Sequence, residues 1–292
     1  MEIIIAKNSG LCYGVKRALR IVEETRKQEK GRIFTLGDLI HNPQIIANLR
    51  KQDIFAIADA DSIREGAIII RSHGVSPEIY EQIERKKKKI IDATCPIVKK
   101  IQKLVADLAS REEEIIIVGN KNHPEIKGLL GYSKGKGVVI ENINQANRLP
   151  KRKKRSVLAQ STQDLLFFKK LVASLIERTQ ELKVYNTICE STQSRQKHTS
   201  KLASQVDTLF ILGGKNSSNT NKLYQISKNI LSNTYFIESA EHISSAMLKE
   251  ANKVGLSGGA STPPEALQDA VVKIKESFKL QFQRENIIQC QS

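Results

Sequence analysis

The sequence predicts an α/β fold built from parallel sheets, divided among three small domains. Three observations lead there. A unit of short apolar strand, polar or glycine-rich turn and amphipathic helix recurs along all 292 residues, as in βαβ units. About ten such strands suit several small sheets better than one large one. Three cysteines, Cys12, Cys95 and Cys189, fall at near-equal intervals, each after a strand and before a helix. That spacing suggests similar thirds arranged around an axis.

Taken in order, residues 2–6 read as a strand because Ile3, Ile4 and Ile5 are continuous and β-branched, the pattern of a strand buried on both faces. A helix over 15–28 follows, with Val15, Ala18, Leu19 and Val22 as its apolar stripe. Further strands are predicted at 32–36, 67–70, 89–92, 114–118, 137–140, 156–159, 182–185, 208–212, 234–237 and 253–256. Helices are predicted near 43–51, 77–88, 96–110, 164–178, 193–205, 219–231 and 264–277.

Composition excludes several classes. No apolar run approaches the ~20 residues that span a bilayer. The N-terminus lacks a secretory pattern, so a cytoplasmic, reducing compartment is expected, with free thiols open to metal or catalytic duty. Lys and Arg total 47 against 31 Asp and Glu, a net charge of +16, which suits an anionic partner. The basic runs at 86–89 and 151–155 read as solvated faces or loops. Aromatics are 5% of the chain and interleave with neither run, so base stacking gets no support.

In parallel α/β sheets, ligands bind beyond the carboxyl ends of the strands. The turns at those ends hold His41-Asn42, Arg71-Ser72-His73-Gly74, Thr94-Cys95-Pro96, His123-Pro124-Glu125, Gln160-Ser161-Thr162, Cys189-Glu190-Ser191-Thr192, Gly213 to Asn219 and Gly259-Ala260-Ser261. Three thiolates at helix starts suit zinc with one further ligand, or an iron–sulfur cluster. No local C-x₂-C pair supports structural zinc. Clusters normally take four cysteines, so three leave one iron of a [4Fe–4S] cluster without a protein ligand, a Lewis acid that points to catalysis. Cys290 stands outside the pattern. His41, His73, Ser217, Asn219 and Ser261 offer hydrogen-bond donors where helix N-termini favour phosphate. Glu125, beside His123, is a candidate general acid. Neither a Walker loop nor a dinucleotide fingerprint is present.

These residues resemble the LytB family, the 4-hydroxy-3-methylbut-2-enyl diphosphate reductases. The resemblance rests on Gly10-Leu11-Cys12-Tyr13-Gly14-Val15-Lys16-Arg17-Ala18, His41-Asn42, Ser72-His73-Gly74-Val75, Asp92-Ala93-Thr94-Cys95-Pro96, His123-Pro124-Glu125, Lys215-Asn216-Ser217-Ser218-Asn219 and Gly259-Ala260-Ser261. It implies a pseudo-threefold clover around a central [4Fe–4S] cluster, with domains 13–95, 96–188, and 1–12 with 189–292. It implies Cys12, Cys95 and Cys189 as cluster ligands. His41, His73, Ser217, Ser218, Asn219 and Ser261 would hold the diphosphate. His123, Glu125 and Ser161 would surround the substrate alcohol, with Thr162 and Thr192 also in the substrate site. The implied reaction is reductive dehydroxylation to isopentenyl and dimethylallyl diphosphates, Glu125 giving the proton and reduced ferredoxin or flavodoxin the electrons. No nucleic-acid or membrane partner is expected.

Two departures stand out: Ser161 where the family has threonine, and Glu190, a carboxylate beside a cluster ligand. Rival readings are an iron–sulfur hydro-lyase, an RNA-binding protein and a zinc-stabilised protein.

Overall fold

The computed structural model describes residues 1–59, 61, 66–86, 88–111, 113–249 and 251–289. In chain order the elements are β1 (Glu2–Ile5), α1 (Tyr13–Gln28), β2 (Ile33–Leu36), α2 (Pro43–Arg50), β3 (Ile54–Ile57), β4 (Ala67–Ile70), α3 (Pro77–Arg85), β5 (Ile90–Asp92), α4 (Pro96–Ala109), β6 (Glu114–Val118), α5 (Pro124–Tyr132), β7 (Gly137–Ile140) and α6 (Ile143–Asn147). They continue with β8 (Arg152–Ala159), α7 (Leu165–Ile176), β9 (Thr179–Tyr185), α8 (Glu190–Ala203), β10 (Thr208–Leu212), α9 (Ser218–Lys228), β11 (Thr234–Ile237), β12 (Lys253–Gly258) and α10 (Pro264–Gln289). Among the described residues, no helix is long and apolar enough to cross a membrane.

The strands form three four-stranded sheets, ordered β3-β2-β4-β5, β7-β6-β8-β9 and β1-β12-β10-β11. Every pairing is parallel. The expectation of three small parallel-sheet α/β domains is met. Read from its other edge, the last sheet runs β11-β10-β12-β1. That is the same order as the other two, except that its fourth strand comes from the start of the chain. The chain accordingly divides into two compact units: Met1–Cys12 with the chain from Glu190 onward, and Tyr13–Cys189.

Continuous apolar runs form these strands because both faces are covered. In the second sheet Ile116, Val118 and Val157 pack against Phe168, Leu171 and Leu175 of α7. Ile115, Ile117 and Leu158 face Val105 and Leu108 of α4 with Ile126 and Leu129 of α5. In the first-named unit Phe210, Leu212 and Leu256 meet Ala270 and Ile274 of α10, while Leu209 and Ile211 meet Leu202 of α8 and Leu223 of α9. Each such side chain contributes roughly 1.5–3 kcal/mol by leaving water.

Three elements differ from the sequence reading. β3 follows Asp53, whose φ of 57° turns the chain sharply into a strand too short to announce itself. α5 carries Gly128 and Gly131, poor helix formers. A Cβ at Gly131 would press on Ser76 and Pro77, so close packing of α5 on the start of α3 outweighs propensity. α6 is a single capped turn, with Asn142 Oδ1 accepting from Gln145 N at 3.0 Å.

The basic run at 151–155 is not wholly a solvated loop. Residues 152–155 belong to β8, and Arg155 is completely buried. Its register partner is Glu114, which accepts from Arg155 Nε at 2.5 Å. The carbonyls of Arg178 and Pro150 and the hydroxyl of Thr179 accept three more of its N–H groups at 3.0, 2.6 and 3.2 Å. A buried charge survives only when fully partnered in this way. Arg155→Gln should cost about 2–4 kcal/mol in urea unfolding, whereas Lys153→Gln, on the exposed part of β8, should stay within about 0.5 kcal/mol. Equal effects would contradict the buried ion pair as a structural anchor.

Candidate active site

Parallel pairing sends the turns after β2, β6 and β10 off the same kind of sheet end, and a glycine begins each. Gly37, Gly119 and Gly213 donate their N–H groups to the last residues of the outer strands, Ile57 O at 2.7 Å, Ile140 O at 3.1 Å and Ile237 O at 3.0 Å. Gly37 and Gly213 have φ of 74° and 151°, where a side chain would be strained. At all three a Cβ would run into neighbouring side chains.

Each turn then starts a helix with a polar cap. Asn42 Oδ1 accepts from Ile45 N at 3.2 Å, His123 Nδ1 from Glu125 N at 3.2 Å, and Ser217 Oγ from Thr220 N at 3.3 Å. Such caps satisfy donors that the helix itself leaves open. For His123 the cap also fixes the tautomer: Nδ1 is the acceptor, so the neutral ring carries its proton on Nε2.

The partner turns follow β4, β8 and β12, across the point where strand order reverses in each sheet, the place where open α/β sheets bind ligands. Their carbonyls receive the cysteine N–H groups in one repeated pattern: Cys95 N to Ser72 O at 3.0 Å, Cys189 N to Ser161 O at 2.9 Å, and Cys12 N to Ala260 O at 3.0 Å. All three cysteines lie outside any disulfide and stand directly before α4, α8 and α1. Cys95 and Cys189 lie in the unit that carries the histidines, and Cys12 in the other. Cys290 lies outside the described residues.

His41, His73 and His123 form a tight group. Ring centroids are 4.5 Å apart for His41–His73, 5.6 Å for His41–His123 and 5.2 Å for His73–His123. Burial is the main force lowering all three pKa values, and the charge of Arg71 adds to it. His41 is held below 6.5, His123 is pushed down to about 3, and His73 lies well below the usual range. Their ligand nitrogens, all within 4.8 Å of one another, could hold a metal ion. Arg71 weighs against that, because a cation beside the group repels a second cation and attracts an anion.

Glu125, the second residue of α5, is 1% exposed. Ser161 donates to it twice, N–H to Oε1 at 2.7 Å and Oγ–H to Oε2 at 2.6 Å. Burial raises its pKa, and the two bonds from Ser161 only partly offset this. A carboxyl that burial biases toward holding its proton, in contact with a hydroxyl, is equipped to donate. Gln160 steadies the turn: its Oε1 accepts from Asn120 N at 3.1 Å and its Nε2 donates to Thr162 Oγ1 at 3.0 Å.

The other unit carries polar side chains of its own. Ser217 caps α9, Ser218 and Asn219 form its first turn, and Ser261 is buried in the turn after β12. Asn219 is 3% exposed, yet neither Oδ1 nor Nδ2 has a partner. An orphaned buried amide costs roughly 1–3 kcal/mol per group. Thr192 is buried in the first turn of α8. Glu190, which begins that helix, is exposed. Sequence reasoning missed Arg71, although it stands two residues before His73 in a strand-end turn.

The fold is that of an α/β enzyme whose sheet ends carry thiols, buried imidazoles, a buried acid and buried hydroxyl and amide groups. The chain belongs to the LytB family, whose model, described as LytB protein, matches residues 3–275. A 4-hydroxy-3-methylbut-2-enyl diphosphate reductase of Aquifex aeolicus is 42% identical over 280 residues, 94% of this chain and 96% of the relative. One from Caldanaerobacter subterraneus is 40% identical, covering 94% and 97%. A solved structure of (E)-4-hydroxy-3-methyl-but-2-enyl diphosphate reductase, the terminal enzyme of the non-mevalonate pathway, matches with a TM-score of 0.69 at 42% identity, covering 94% of this chain and all of that one. The E-1-hydroxy-2-methyl-but-2-enyl-4-diphosphate reductase of Plasmodium falciparum matches with a TM-score of 0.87 at 28% identity, covering 92% and 86%.

The histidine group makes stability depend on pH. The folded rings stay neutral while the unfolded rings take protons near pH 6.5. Their contribution is therefore full above that value and is lost as pH falls toward the lowered folded values. Thermal unfolding should shift downward from pH 7 to pH 5. Replacing His41, His73 and His123 together by asparagine should flatten that slope, each histidine accounting for at most about 1.4 kcal/mol per pH unit. An unchanged slope in the triple variant would contradict the neutral assignment.

Proposed function

We propose that the protein reduces 4-hydroxy-3-methylbut-2-enyl diphosphate to isopentenyl and dimethylallyl diphosphates. The observation that carries the reading is the buried Glu125–Ser161 pair beside the histidine group, in a chain of the LytB family. In the balanced reaction the C–O bond of the allylic alcohol breaks, two electrons and two protons enter, and water leaves. One proton goes to the departing hydroxyl and one to either end of the allyl unit.

Three cysteines outside any disulfide, at equivalent turns and each tied by its backbone N–H to the neighbouring turn, fit a [4Fe–4S] cluster with one iron lacking a protein ligand. Cys12, Cys95 and Cys189 would hold it. When bound, it supplies electrons and an open Lewis-acidic iron.

The chain's own residues do the rest. His41, His73, Ser217, Ser218, Asn219 and Ser261 bind the diphosphate, the unpartnered amide of Asn219 gaining an anion to donate to. Glu125 holds the proton on a carboxyl whose pKa burial raises and passes it through the Ser161 hydroxyl, while His123 Nε2–H orients the substrate alcohol. Thr162 and Thr192 line the reacting end. Serine at 161 keeps the hydroxyl that a threonine would supply. With a net charge of +16, an acidic ferredoxin or flavodoxin is the electron donor, drawn by complementary charge.

Protein purified without oxygen should be brown and contain iron and sulfide. Serine at position 12, 95 or 189 should abolish that colour, whereas Cys290→Ser should keep it. A colourless wild type, or loss of colour in the Cys290→Ser variant, would overturn the ligand assignment.

Glu125→Gln should retain cluster and substrate binding yet lose at least about two orders of magnitude in kcat. With its pKa raised, Glu125 should also make wild-type kcat fall on the alkaline side as it loses its proton. Near-normal turnover of Glu125→Gln at full iron content would remove Glu125 from the chemistry.

A further inference from the structure

The groups assigned to the diphosphate share a property: none carries a fixed charge. Burial biases the imidazoles toward their neutral form, and the remainder are hydroxyls and an amide. Moving a polyanion from water into a set of uncharged donors is costly unless a counter-charge is near. The side chain that supplies one in the histidine unit is Arg71.

Arg71 directly follows β4 and precedes Ser72 and His73. Its Nε is buried and has no hydrogen-bond partner. Its charge reaches His41, His73 and His123. Asp38 is the carboxylate that acts on it, and among the described residues the two form no ion pair within 4.0 Å. The guanidinium lies over Gly37, where a Cβ would collide with it.

The equivalent positions in the other sheets show that the turn itself needs no cation. Gln160 lies over Gly119 as Arg71 lies over Gly37, and its amide is spent on Asn120 and Thr162 within the turn. In the third sheet the position is Gly259. An arginine has no acceptor with which to staple a loop as Gln160 does. What it adds is a fixed charge and an unspent donor aimed at no protein group.

We propose that Arg71 is a positioning residue for the substrate, a fixed cation beside the His41–His73–His123 group that draws the diphosphate onto the imidazoles. The proposal rests on the substrate reading given above. It predicts that Arg71 governs anion affinity and leaves the chemical step alone.

The test uses the anaerobically purified holoenzyme and the Arg71→Gln and Arg71→Lys variants. Glutamine is the residue that the sister turn already accommodates. Binding of inorganic diphosphate is measured by calorimetry, and KM and kcat are measured with the allylic diphosphate. Arg71→Gln should weaken diphosphate binding and raise KM by about tenfold or more, with kcat within about threefold and iron content unchanged. Arg71→Lys should recover most of the affinity, and the dependence of Kd on salt should flatten in Arg71→Gln only. Unchanged Kd and KM in Arg71→Gln would overturn the proposal, as would a fall in kcat at constant KM shared by both variants. If the wild type binds inorganic diphosphate through Arg71 but does not turn over the allylic substrate, the anion role stands and the substrate reading fails.

Discussion

Parallel pairing is the constraint on which the remainder depends. Within each sheet every strand points the same way, so every turn at a carboxyl end leaves from one edge of that sheet. Function can then be assembled from turns alone, while the strands need only be apolar. The backbone enforces the arrangement at a finer level. The glycine after each first middle strand donates to the outer strand, and each cysteine donates to the turn after the second middle strand. These bonds involve no side chain, so side chains at equivalent positions are free to differ. That freedom is used fully: Arg71, Gln160 and Gly259 occupy one such position, and Asn42, His123 and Ser217 occupy another.

A second principle is the controlled use of burial. Removing ionisable groups from water favours their neutral forms. Here it does so in opposite chemical senses at neighbouring groups: Glu125 is biased toward keeping a proton and the three histidines toward losing theirs. The acid can give a proton that the adjacent imidazoles will not take from it in advance. The Asn219 amide and the Arg71 Nε are likewise buried, without hydrogen-bond partners. Arg155, although completely buried, has carboxylate, carbonyl and hydroxyl acceptors around its guanidinium.

The strand ends, and with them the cysteines, histidines and Glu125, were legible in the sequence because short β-branched runs followed by glycine or proline mark both the strand and its stop. Helix α5 was not, because its glycines serve a contact with α3 that no local window contains. Arg155 looked like part of a solvated basic run because its partners, Glu114 and the carbonyls of Pro150 and Arg178, come from other elements. Arg71 escaped for a related reason. Its importance comes from comparison with Gln160 and Gly259, and that equivalence exists only once the sheets are aligned strand by strand.

The third sheet is built from two distant stretches of the chain. Its fourth strand is β1, whereas β10, β11 and β12 lie more than two hundred residues later. The sheet cannot close until both ends of the chain are present, since β1 pairs only with β12. Cys12 is held by the same closure: its N–H bonds to Ala260, and Arg195 of α8 donates to the carbonyl of Gly10 at 2.7 Å. The other two cysteines sit in sheets made from continuous stretches of chain. Loop closure over such a separation carries an entropic cost that local sheets avoid. The thiol nearest the N-terminus is thus the one whose placement requires the most of the chain to be folded.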